Sequence, residues 1–267
     1  MIRQPAVAGQ FYPGSASKLR SELSILVQPE PARRKVIGVI APHAGYLYSG
    51  KVAGHLYGLI RVPETVVILG PNHHGVGASA ALYPAGEWIT PLGTVPIDAA
   101  FAELLMKHAP LVKEDASAHL YEHSLEVQVP FLQHVQPDVA IVPICLGFND
   151  MQSCQALGAG LAHAIAASGR EVLIVASSDM THYESAEDAR RKDDLALKEV
   201  LALNPEGLLN VCRRNGITMC GVIPSAVMLV AALELGAGKA AVERYATSGD
   251  VTGDQRQVVA YAAVTVE

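Results

Sequence analysis

The sequence predicts an α/β fold: one three-layer αβα domain around a mostly buried, largely parallel or mixed central sheet. Three observations carry this. Several short β-branched runs are apolar throughout rather than alternating, as strands covered on both faces are. Helix-forming stretches lie between those runs, the arrangement that builds parallel strand pairs. No Pro/Ser-rich linker, charge block, low-complexity tract or internal repeat divides the 267 residues, so residues 1–267 are expected to form one domain.

Taken in order, residues 17–27 predict a first helix, with Ser15 or Ser17 as its N-cap. Residues 36–40 and 65–69 predict buried strands. Residues 99–108 follow Asp98, a good capping residue, and predict a helix, as do residues 125–135. Residues 139–145 and 172–176 predict two more strands, separated by a helix over 151–167. A helix over 186–203 follows. Pro224 suits the first turn of a helix over 224–235, where its missing N–H is not needed. Residues 242–246 and 258–266 close the chain as a shorter and a longer strand.

Composition removes several functions. Half the residues are apolar and 17% are charged, a balance that suits a large buried core. The net charge of −6 and pI near 5.9 oppose a phosphate backbone, so no nucleic-acid partner is expected. The most apolar stretch, residues 221–238, is interrupted by Pro224, Ser225 and Glu234; it predicts a buried helix, not a membrane span. Residues 1–14 hold no apolar run long enough for a signal peptide. Cys145, Cys154, Cys212 and Cys220 include no CxxC pair and are too few for a disulfide scaffold, which points to reduced thiols in a cytoplasmic compartment.

The strand ends are where chemistry concentrates, because open α/β sheets bind ligands beyond the carboxyl ends of their strands. Ala41-Pro42-His43-Ala44-Gly45-Tyr46 follows one strand. Gly70-Pro71-Asn72-His73-His74-Gly75 follows a second, and Ser177-Ser178-Asp179-Met180-Thr181-His182-Tyr183 a third. Three strands thus deliver imidazole to one edge, which suggests a mononuclear metal site. Alone, His43 reads equally as a loop residue bonded to backbone. Of His73 and His74, neighbours in an extended segment, one can face the site while the other faces away. Asp179 and His182 share a face if the segment turns helically; the Asp would orient the His for proton transfer, or simply cap a helix. Cys220 precedes a helix N-terminus, which favours thiolate, although buried free Cys is common. His123 and Glu126 either line a pocket or form a polar first turn. His55, His108, His134 and His163 read as surface or packing residues.

Familiar signatures fail. His119 and His123 are four apart without an H-E-x-x-H pattern. Gly45 to Lys51 spells GxxxxGK, but Val52 stands where a P-loop needs Ser or Thr. There is no GxGxxG unit and no GxSxG elbow.

The ordered motifs resemble the Memo family, whose fold is similar to LigB-type class III extradiol dioxygenases. They run from Pro5-Ala6-Val7-Ala8-Gly9-Gln10-Phe11-Tyr12-Pro13 through the three strand-end segments and Glu122-His123-Ser124-Leu125-Glu126 to Met219-Cys220-Gly221. The resemblance implies a metal held by His43, His73 and Cys220, with Asp179 and His182 as catalytic groups in the same pocket. It leaves His74, His123, Glu126 and Tyr46 around the pocket or behind its ligands. LigB-type enzymes bind iron with two His and a carboxylate; Cys220 takes the carboxylate's place here. The expected cofactor is a divalent metal, Fe(II) foremost, with Cu or Zn as alternatives.

Three functions follow as expectations. The first is a non-haem iron, dioxygenase-like oxidoreductase, with His182 as general acid/base and Asp179 tuning it. The second is a metal-dependent hydrolase. The third is a signalling protein that binds a small molecule or peptide in the same pocket without turnover.

Overall fold

The four apolar runs become neighbouring parallel strands. The computed structural model describes residues 1–267. Its strands are β1 (Ile2–Arg3), β2 (Gly38–Ala41), β3 (Thr65–Pro71), β4 (Ala80–Leu82), β5 (Glu87–Thr90), β6 (Gly93–Pro96), β7 (Lys113–Glu114), β8 (Ala140–Leu146), β9 (Val172–Ser177), β10 (His182–Glu184), β11 (Ala240–Thr247) and β12 (Val258–Val266). Its helices are α1 (Ala16–Leu26), α2 (Tyr46–Leu59), α3 (Ala99–His108), α4 (Val129–Val135), α5 (Met151–Ser168), α6 (Ala186–Leu201), α7 (Pro205–Asn215), α8 (Val222–Glu234) and α9 (Gly249–Thr252).

The main sheet has nine strands in the order β10-β12-β2-β9-β3-β8-β4-β7, with β11 also paired to β12. Its centre, β2-β9-β3-β8, is parallel; β12 and β4 flank it antiparallel, so the sheet is mixed. A small second sheet joins β1, β5 and β6. Alternation sorts the core into two layers on opposite faces of the main sheet. Along β3, Val66 and Ile68 pack with Leu23, Leu56 and Phe131 of α1, α2 and α4. Val67 and Leu69 pack with Phe101, Leu157 and Val227 of α3, α5 and α8. That is the expected αβα arrangement in a single domain.

Three local expectations are corrected. The helix expected over 125–135 is a 3-10 turn, Glu126–Gln128, followed by α4. Pro130 explains the break, since inside a continuous helix its ring would strike the Glu126 carbonyl. Residues Glu122 to Leu125 are loop, not a helical turn. Asp179 and His182 share no helix face, because His182 opens β10. Three helices were not anticipated, α2, α7 and the single-turn α9. In α2, Gly50, Gly54 and Gly58 weaken helix propensity. Gly54 and Gly58 are nonetheless required: a Cβ on Gly54 would run into the Leu26 carbonyl, and one on Gly58 into that of Gln28. No helix is long and apolar enough to cross a membrane.

Candidate metal centre

The middle strands of the sheet set the site. β2, β9 and β3 lie side by side, and two residues past the end of each stand His43, Asp179 and His73. Together with His123, His182 and Cys220 they line one cavity of about 900 Å³, walled further by Phe11, Tyr48, Tyr183 and Tyr261.

His43 is buried, with Nδ1 2.9 Å from Ser177 Oγ. Ser177 has one hydroxyl hydrogen, donated to the Ser124 carbonyl at 2.6 Å, and it also accepts from Gln128 Nε2 at 2.8 Å. It must therefore accept from His43 as well, so Nδ1 carries the proton and Nε2 offers its lone pair to the cavity. Burial, then the neighbouring His123 and His73, hold His43 well below its ordinary pKa, so it is neutral.

His73 is fixed in the same sense by Glu122, whose Oε1 lies 2.8 Å from His73 Nδ1 and whose Oε2 accepts the His73 N–H at 2.7 Å. Burial works against the charge on Glu122, yet the His73 hydrogen bond and charge and the Ser124 N–H outweigh it and hold the carboxyl at about 2. A carboxylate behind a ligating imidazole fixes its tautomer and raises its basicity. Replacing Glu122 with Gln should accordingly weaken divalent-metal binding by about 10–100-fold, read by metal titration of the chelator-treated protein. An unchanged Kd would show that Glu122 has no part in presenting His73.

His123 stacks on His73, with ring centroids 4.8 Å apart at 15°. The ligand atoms of His43, His73 and His123 all lie within 4.8 Å of one another. Two nitrogens on one tetrahedral ion stand about 3.4 Å apart, so small χ rotations close the set. Cys220 Sγ lies 3.2 Å from His43 Nε2 and accepts the Asp179 N–H at 3.2 Å. Burial, followed by the Asp179 charge, pushes its thiol pKa up, so the metal-free site holds a protonated thiol with His43 Nε2 at 3.2 Å and the Asp179 carbonyl at 3.6 Å as its acceptors. Two oriented imidazoles, a third imidazole and a thiol fit a divalent ion; they do not distinguish iron, copper and zinc.

Asp179 does not orient His182. Its Oδ1 accepts the N–H groups of His43 and Ala44, at 2.8 and 3.3 Å, fixing the segment that presents His43. Burial raises its pKa from 3.8 to about 7 against those hydrogen bonds. Between about pH 4 and 7 the folded protein thus keeps a proton that the unfolded chain has released. The contribution of Asp179 is full below pH 4 and is lost by up to about 1.4 kcal/mol per unit as pH rises toward 7, while His43, His119, His123 and His182, lowered by burial, favour folding as pH rises over the same range. In urea unfolding of metal-free protein, the stability of wild type relative to Asp179→Asn should fall with this slope between about pH 4 and 7, the histidine contributions cancelling in the difference; parallel curves would remove Asp179 as its source. His182 is tied instead to Thr218, through Nδ1 to the carbonyl at 3.0 Å and N–H to Oγ1 at 2.8 Å, leaving Nε2 free. Burial lowers its pKa.

Three other sequence candidates lie outside the cavity. His74 is exposed, with Nε2 3.1 Å from the Tyr121 carbonyl. The Tyr46 hydroxyl donates to the Val127 carbonyl within the core. Glu126 faces away, paired with buried Arg3 at 2.7 Å. Sequence reasoning missed Glu122 and Ser177 as the groups behind the ligands. The one available signal was Glu122 beside His123.

A three-layer αβα domain that gathers imidazoles beyond adjacent parallel strands defines a class of α/β proteins whose sheet edge could hold a divalent metal. Within that class the chain belongs to the Memo family: the family described as Memo-like protein matches residues 3–265. It is 44% identical to a MEMO1 family protein of Aquifex aeolicus, covering 97% of both chains. It is 43% identical to one of Methanosarcina acetivorans, covering 100% of this chain and 99% of the relative. A relative from Methanopyrus kandleri is 41% identical over 99% of this chain and 98% of its own length. The fold is also similar to the crystal structure of an uncharacterized Escherichia coli K12 protein, at TM-score 0.55 and 14% identity, over 86% of this chain and all of that one.

Proposed function

We propose that residues 1–267 act as one unit, a mononuclear metal-dependent oxidoreductase of dioxygenase-like chemistry using non-haem Fe(II). The observation that carries the reading is the pair His43 and His73, each with Nδ1–H committed to a fixed acceptor and Nε2 left for the cavity side, where Cys220 Sγ stands 3.2 Å from His43 Nε2, in a cavity large enough for a small molecule. His43, His73 and Cys220 would hold the ion, with His123 in place to support or replace the thiol. A two-His-one-anion iron supplies redox chemistry with open positions for O2 and substrate.

The chain's own groups do the rest. His182 keeps a neutral imidazole with Nε2 free, suited to take a proton from a bound hydroxyl. Asp179 keeps the His43 segment in place through two N–H groups. Glu122 keeps His73 basic. Phe11 and Tyr261 exclude water from one flank of the ligand. The ligand expected in the pocket is a small molecule, and the setting cytoplasmic.

Anaerobically purified protein should contain close to one iron per chain and consume O2 when supplied with catechols. Zinc in place of iron, with no O2 uptake but hydrolysis of activated esters, would favour a hydrolase. Neither metal nor turnover would leave a non-catalytic binding protein.

A further inference from the structure

Tyr183 occupies a backbone position that disfavours it. Its φ is +59°, in the left-handed region, where a bulky side chain is an outlier. The cause is a β-bulge: His182 pairs with Val259 and Glu184 with Val258, so Tyr183 is an extra residue opposite a single step of β12. Gly is the usual occupant of a left-handed bulge position, and Tyr there costs on the order of 1 kcal/mol or more. Both flanks are pinned, His182 to Thr218 and Glu184 to Lys192.

Core packing does not account for the residue, because Tyr183 is 74% exposed. What the bulge achieves is aim. The ring is turned to the mouth of the metal cavity, its centroid 5.9 Å from that of His182. Bulges near functional sites re-aim side chains in this way. In a chain with 5% aromatic residues, Phe11, Tyr48 and Tyr261 line the same cavity. No Lys or Arg does.

Resting on the metal-centre reading, we propose that Tyr183 is a specificity-determining residue that grips the flat ring of an aromatic ligand whose polar head lies at the His43/His73 centre. The strained bulge is kept for that contact. The absence of a cationic side chain in the lining suits a ligand whose tail is uncharged rather than phosphorylated.

The test compares wild type, Tyr183→Gly and Tyr183→Phe after identical anaerobic iron loading. Metal content, Tm and the Kd for 4-nitrocatechol are measured on the same samples. Tyr183→Gly should carry as much metal, melt no lower than wild type because the strain is relieved, and bind the probe about five- to tenfold more weakly. Tyr183→Phe keeps the ring and should bind within about twofold of wild type. Equal binding by Tyr183→Gly, or a lowered Tm, would overturn the assignment alone, as would loaded wild type that ignores the probe. Wild type that takes up no metal would overturn the metal-centre reading and this assignment together.

Discussion

Arg3→Met should destabilise the metal-free protein by about 3–5 kcal/mol, the cost of breaking a buried ion pair from one side. Arg3 is 2% exposed and its guanidinium is fully engaged. Nε donates to the His119 carbonyl at 2.7 Å, Nη2 to the Glu122 carbonyl at 2.8 Å, and Nη1 meets Glu126 Oε2 at 2.7 Å. The Trp88 ring lies 4.2 Å below it. Met fills much of the volume but leaves two carbonyls unpaired and the Glu126 carboxylate buried without its cation. The Ala6 and Val7 N–H groups and the Tyr12 hydroxyl still reach Glu126, which places the loss inside that range rather than beyond it. Arg3→Met/Glu126→Gln removes the stranded charge and should recover a substantial part. Urea unfolding of the three proteins decides. A double variant no more stable than the single one would show that the lost carbonyl bonds, and not the charge, carry the cost. Because Arg3 holds the backbone of Glu122, the single variant should also weaken metal binding.

Much of this architecture was legible in the sequence, because a strand covered on both faces has to be apolar at every position. Runs 65–69 and 172–176 could therefore be read directly as β3 and β9, and the polar residues after them as the sheet edge. His43, His73 and Asp179 stand in one cavity for that reason, and Cys220 joins them from the loop before α8. The supporting groups were not legible. Glu122 reaches His73 across 49 residues, and Arg3 reaches Glu126 across more than a hundred, separations that no local pattern encodes. Glu126 and Tyr46 were drawn toward the pocket by their neighbours in the chain. A loop turns successive side chains to different sides, so His123 faces the cavity while Glu126 closes the contact with the N-terminal segment. The helix α2 was hidden because its glycines answer to the backbone of residues 26–28 rather than to helix propensity.

Cys220→Ser should lower divalent-metal affinity by about 100-fold or more while leaving the fold intact, and His123→Ala should lower it by less. Cys220 is the only soft anionic donor among the candidates, and metals are bound by the thiolate. In the metal-free protein that thiol is protonated, so loading must displace its proton. A Ser hydroxyl in the same place keeps its proton near neutral pH and offers a harder, neutral donor. Two signatures follow. The Kd rises in the variant, and its pH dependence becomes shallower by one proton, about tenfold per pH unit. His123 differs in kind. Burial, more than any neighbouring charge, lowers its pKa, so its loss removes a neutral donor and little proton competition. Its ring also stacks on His73, so part of any effect of His123→Ala would come from a loosened His73. The core of 79 buried hydrophobic residues in two layers does not depend on the ion, and circular dichroism of both variants should match wild type. Metal titrations at several pH values on chelator-treated protein would measure both signatures. If His123→Ala costs more than Cys220→Ser, and the slope with pH survives in the Ser variant, the third ligand is His123. The centre would then be a three-imidazole site of the kind that suits zinc as readily as iron.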